Sequence, residues 1–108
     1  GEHADAPIQP SRHFDDWTRV QNQPDGSSRA LGWDTPSGRS SSGTIMSARS
    51  FGHTGFTGTS IWVDIPRRTI IVLLTNRVHP TRNTPKFTPL RPAVADAVMK
   101  ALYPDASP

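Results

Sequence analysis

Large apolar side chains are sparse over the first fifty residues and crowd together after residue 60. The segment TSIWVDI, residues 59–65, alternates strictly. Ile61, Val63 and Ile65 point one way and Ser60, Trp62 and Asp64 the other, the period of a strand. Pro66, Arg67 and Arg68 read as a turn. TIIVLLTN then runs apolar without a break from Ile70 to Leu74, which predicts a strand covered on both faces, in a sheet interior. The turn is too short for a crossover helix, so the two strands should pair as an antiparallel hairpin. RVHPTRNTPKFTP carries three prolines and reads as a loop. LRPAVADAVMKAL repeats apolar residues at Leu90, Val94, Val98 and Leu102, with Ala97 and Ala101 beside them. This predicts an amphipathic helix lying across the sheet, with Pro92 in its first turn and Tyr103-Pro104 ending it.

The first half carries weaker signals. Residues 1–10 read as an extended arm. SRHFDDWTRVQ predicts a short helix, with Ser11 as N-cap, acidic residues in the first turn, and Phe14, Trp17 and Val20 on one stripe. NQPDGSS is a turn cluster, and RALGWDT predicts a short strand over Arg29 to Thr35. PSGRSSSG is a Ser/Gly loop, and TIMSARSFGHTG should be extended through its second half. Together these give an α+β fold: an antiparallel sheet of about four strands in sequence order, covered on one face by the C-terminal helix. The domain reading is an arm over 1–28, the body over 29–103 and a tail over 104–108.

Composition narrows the functional classes. The 108 residues carry a formal charge of +3, but the arginines are scattered and only Arg67 and Arg68 adjoin, so no nucleic-acid footprint is present. The chain has no cysteine, which excludes disulfides and thiolate metal sites. His3, His13, His53 and His79 lie too far apart to suggest a local metal site, and no phosphate-cradling loop occurs, so no cofactor is expected. No apolar run approaches the ~20 residues of a membrane span. The opening GEHADAPIQP lacks the basic start and apolar stretch of a signal peptide, and a first residue of Gly suggests a processed or excised segment.

The stretch with chemical potential is SFGHTGFTGT, Ser50 to Thr59, where Gly52, Gly55 and Gly58 recur at every third position around His53 and Thr54. Glycine weakens a strand but lets a ligand or another backbone approach closely. An imidazole and a hydroxyl beside free backbone N–H groups suit a carboxylate or an oxyanion. The other reading is a solvent-facing strand end whose glycines only make turns.

FGHTGFTGTSIWVDIPRRTIIVLLTNRVHP resembles the C-terminal part of the serine β-lactamase and penicillin-binding-protein superfamily, in its class C and esterase-like branch. That superfamily joins a Lys- or His-[Ser/Thr]-Gly triplet to a hairpin, an Asn after the second strand, and a closing helix. ALGWD upstream is similar to the strand preceding the triplet, so the resemblance spans roughly residues 29–103.

By this resemblance, His53 supplies charge or a partner in a proton network, and Thr54 contacts a substrate carboxylate or carbonyl. Gly55 lets the substrate backbone lie against the strand. Phe56 offers its backbone N–H to an oxyanion hole, and Asn76 orients the pocket floor or, read structurally, caps the strand end. Histidine in the Lys position favours ester or amide substrates over carboxylate-bearing β-lactams, because an ordinary imidazole is mostly neutral at neutral pH.

The superfamily's nucleophile motif, Ser-x-x-Lys, is missing. Asn83 precedes Lys86 at that spacing, and Ala97 precedes Lys100. The Tyr-x-Asn or Ser-x-Asn motif is missing too. Without a nucleophile and its base, acyl transfer does not proceed. The expectation is therefore a C-terminal segment of a serine hydrolase acting on β-lactam, peptide or ester. Its partner would be an N-terminal portion bearing Ser-x-x-Lys, with an extracytoplasmic bacterial location implied by the resemblance. Alone, the chain should be inactive and should self-associate through its uncovered sheet. Two alternatives stay open: one subunit of a two-chain enzyme, and a standalone binding or scaffolding module.

Overall fold

The computed structural model describes residues 11–38 and 40–107. Helix α1 (Ser11–Thr18) is followed by strands β1 (Ser50–Thr54), β2 (Ser60–Asp64) and β3 (Thr69–Leu73), a short 3-10 turn (Pro85–Phe87) and helix α2 (Leu90–Leu102). The strands form one antiparallel sheet in the order β1-β2-β3. Gly52 faces Trp62 and Trp62 faces Ile71 across the ladders.

The expected hairpin over residues 60–73 forms, and so do both helices. The sheet has three strands, not about four. Of the strand expected over Arg29 to Thr35, only two isolated bridges survive, Arg29 with Asp34 and Asp34 with Gly52. Gly32, at φ 75°, bends this segment back on itself, so it meets the outer edge of β1 at a single residue.

The buried face of the sheet is the one with the more polar sequence. Trp62, 2% exposed, lies with Ile71, Ala95, Met99, Ile45 and Met46 in one cluster between the sheet and α2. Gly52 makes this possible. A Cβ there would run into the Trp62 indole and the Ile61 carbonyl, so the ring lies directly over β1. The indole Nε1 donates to Ser41 Oγ at 2.9 Å, which satisfies the ring's single polar atom inside the core.

Asp64 shares this face and is fully buried. Its carboxylate accepts from Ser47 N–H (3.0 Å), Ser47 Oγ (2.9 Å), Arg67 N–H (3.2 Å) and Arg67 Nη1 (3.2 Å). Burial pushes the carboxyl pKa up, but the Ser47 and Arg67 hydrogen bonds with the Arg67 charge outweigh it and hold the group below its ordinary value. Asp64 thus ties the loop before β1 to the β2–β3 turn. Asp96 on α2 does the same for residues 44–45, accepting from Thr44 N–H at 2.7 Å and Ile45 N–H at 3.2 Å.

Two expectations about burial need correction. Helix α2 meets the core through Ala95 and Met99, flanked by Val98, whereas Leu90 and Leu102 at the ends of the expected stripe are exposed. The helix is apolar on more than one side, and small Ala95 permits the closest approach. Strand β3 is an edge strand, and only its inward residues are covered: Ile71 is buried while Ile70 is 64% and Val72 56% exposed. On the far face, Phe51 alone is well covered, by edge-on contacts with Phe14 of α1 and Trp33. Trp17 stays exposed beside His13.

Candidate functional site

Strand β1 has β2 on one side. On its outer edge the N–H and C=O of Gly52 pair with Asp34 at 2.9 and 2.7 Å, and the Ser50 N–H donates to Ser47 O at 3.1 Å. Backbone groups alternate in direction along an antiparallel strand. Gly52 points outward, so Thr54 also points outward, and Gly55 points back toward β2, where its N–H donates to Thr59 O at 2.8 Å. From Thr54 on, the outer edge meets no other strand among the described residues.

His53 and Thr54 are both exposed and lie on opposite faces of β1. The His53 ring Nδ1 lies 2.7 Å from the Thr54 carbonyl oxygen. A carbonyl only accepts, so Nδ1 carries a hydrogen, and Nε2 meets no partner among the described residues. Thr54 lines two clefts. One, of about 430 Å³, is bounded by Asp34, Ser40, Ser41, Arg77 and Arg91. The other, of about 330 Å³, is bounded by His53, Gly55, Ile61, Val72 and Leu74. The structure therefore brings His53, Thr54 and Gly55 together at one strand end. Asn76 is exposed on the loop after β3 and lines neither cleft.

The loop joining β1 to β2 is held by its carbonyl groups. Gly55 O accepts from Gly58 N–H (3.1 Å), which closes a β-turn with Phe56 and Thr57 at its centre. Gly55 O also accepts from Arg91 Nη2 at 2.6 Å, and the same nitrogen reaches Thr59 O at 3.0 Å. Phe56 O accepts from Arg77 Nε at 2.5 Å, Thr57 O from Arg77 N–H at 2.9 Å, and Gly58 O from Thr75 Oγ1 at 2.6 Å. Gly58 sits at φ 116°, and a Cβ there would collide with Thr75 Oγ1. A Cβ at Gly55 would meet Thr59 Oγ1. These glycines thus serve close packing within the chain, the turn-making role that the sequence left open.

Arg77 and Arg91 escaped the sequence reading. Arg91 is 36 residues from Gly55, and no spacing rule links a helix N-terminus to a distant turn. Arg91 stacks over Phe87 at 4.9 Å and Arg77 over Phe56 at 4.5 Å. Burial and the neighbouring Arg77 charge push the Arg91 guanidinium below its ordinary pKa. Among the described residues neither arginine has a carboxylate within ion-pair distance.

Comparison with known proteins gives this geometry a family. The β-lactamase family model matches residues 5–95. A Salmonella enteritidis PT4 protein named "Putative D-alanyl-D-alanine carboxypeptidase" is 35% identical over 82 residues, covering 70% of this chain and 19% of its own length. A protein of the same name from Salmonella paratyphi B matches to the same extent. The crystal structure of a β-lactamase from Mycobacterium bovis superposes with a TM-score of 0.72 at 25% identity, over 90% of this chain and 39% of that one. The chain belongs to the β-lactamase family of hydrolases, and it spans about a fifth of the length of these curated relatives.

Proposed function

We propose that these residues are the C-terminal portion of a serine hydrolase that transfers acyl groups from β-lactam, peptide or ester substrates. In this reading β1 forms one wall of the active site. The substrate lies along the open outer edge beyond Gly52. Thr54 Oγ1 binds its carboxylate or carbonyl, and the Phe56 N–H faces the developing oxyanion. His53, whose ring is fixed by its Nδ1 hydrogen bond, takes part in proton transfer through Nε2. Ser-x-x-Lys comes from chain outside these residues, and that portion seats on the apolar sheet face that carries Ile70 and Val72. The observation that carries this reading is the edge of β1, which meets no other strand beyond Gly52 among the described residues, with the exposed Thr54 on it.

Thr54→Val in the longer protein is the test. Valine keeps the shape and suits a strand, so the melting temperature should stay within experimental error. The kcat/KM for a nitrophenyl ester or a chromogenic cephalosporin should fall about tenfold to a hundredfold, the worth of a hydrogen bond to a charged oxygen. Undiminished activity would remove Thr54 from the site.

A further inference from the structure

We infer that Arg91 is a positioning residue for the oxyanion donor, and that Arg77 serves the neighbouring peptide in the same way. The inference rests on the proposed reading of the site and adds residues from α2 and from the loop after β3.

A peptide unit is planar and trans, so its C=O and its N–H point in opposite directions. The carbonyl of Gly55 and the N–H of Phe56 belong to one unit. Arg91 Nη2 holds that carbonyl at 2.6 Å, so the Phe56 N–H must point away from α2, toward the outer side of β1. The carbonyl of Phe56 and the N–H of Thr57 form the next unit, and Arg77 Nε holds that carbonyl at 2.5 Å. Among the described residues neither the Phe56 nor the Thr57 N–H meets an acceptor, although every carbonyl from Gly55 to Thr59 has a donor. The central N–H groups of any β-turn are free; what the two arginines add is a fixed direction for them, because each holds the carbonyl of the same peptide unit.

Arg91 suits the task for reasons visible in its surroundings. One nitrogen spans Gly55 O and Thr59 O, the two residues that close the hairpin, so it fixes the loop against the strands and not only one peptide. Stacking on Phe87 fixes the guanidinium plane. Its Nε is buried and meets no partner among the described residues. A lysine offers a point charge without the planar fork or the stacking, so it holds the carbonyl less rigidly.

The experiment uses the longer protein with Arg91→Lys and Arg91→Gln, an ester substrate, and a boronic acid inhibitor whose tetrahedral adduct places an oxygen where the oxyanion forms. A displaced donor costs about a hundredfold in rate. Arg91→Gln should therefore lower kcat by about that factor and leave KM within about threefold. Arg91→Lys should fall between Gln and Arg. The boronate inhibition constant should rise by the factor by which kcat/KM falls. A purely structural role predicts no such proportionality.

Unchanged kcat in a folded Arg91→Lys or Arg91→Gln protein overturns the inference. A loss confined to KM, or unchanged boronate affinity, also overturns it. If Thr54→Val impairs turnover and the Arg91 variants do not, this inference alone fails. If Thr54→Val has no effect, the reading of the site fails first.

Discussion

Trp62→Ala is expected to leave this unit largely unfolded at room temperature. The indole is 2% exposed, fills the space over Gly52, and touches the core that α2 shares with the sheet. Truncating a buried tryptophan costs about 3–5 kcal/mol. A domain of ordinary stability has only about 5–15 kcal/mol in total. Ser41 Oγ would also lose its donor. Denaturant titration followed by circular dichroism reads the effect. Trp62→Phe should retain much of the stability, because it keeps an aromatic ring in the same space. A Trp62→Ala protein within 1 kcal/mol of the parent would show that the indole is not the centre of this core.

The second large effect concerns the opposite face. Ile61, Val63, Ile70 and Val72 share it, with Ile70 64% and Val72 56% exposed. No described element covers their end of the sheet, and the outer edge of β3 is unpaired among the described residues. A contiguous apolar surface beside a free strand edge seldom stays bare in water. The 108-residue chain on its own is therefore expected to self-associate, through this face or through the edge of β3. Light scattering over a concentration series should show a mass that rises with concentration. The double substitution Ile70→Lys with Val72→Lys should return it to a monomer without unfolding it, since both side chains project away from α2. A strictly monomeric parent chain at high micromolar concentration would mean that the face is covered after all.

The sequence made some of this legible and hid the rest for identifiable reasons. The β2–β3 hairpin and α2 were readable because their periods are strong and their boundaries are marked by Pro66 and Pro104. The alternation over residues 60–65 was also right. It does not say which face is inward. Packing puts the Trp62 side inward: the indole lies over Gly52 in the core, and Asp64 is satisfied there by four donors. RALGWDT had the composition of a strand, but Gly32 turns it after three residues.

At the site, the glycine pattern around His53 and Thr54 drew notice, but the triplet His53-Thr54-Gly55 took its roles from the resemblance to the superfamily, because glycine spacing alone also fits plain turns. Phe56 was marked only by the resemblance to the superfamily. The arginines that hold its loop could not be read, because Arg91 reaches Gly55 only once α2 has docked on the sheet.

The claim that these residues form one wall of a serine hydrolase, with the nucleophile elsewhere, is tested most directly by active-site labelling. The 108-residue chain and the longer protein are each treated with a fluorophosphonate that phosphonylates activated serines with loss of fluoride, and adducts are located by mass spectrometry. The account predicts no stoichiometric adduct on the 108-residue chain, because no serine in it precedes a lysine at the Ser-x-x-Lys spacing. It predicts a single adduct on the longer protein, at the serine of a Ser-x-x-Lys outside residues 1–108. A stoichiometric adduct on any serine of the 108-residue chain, with turnover of an ester that is lost when that serine is replaced, would contradict it.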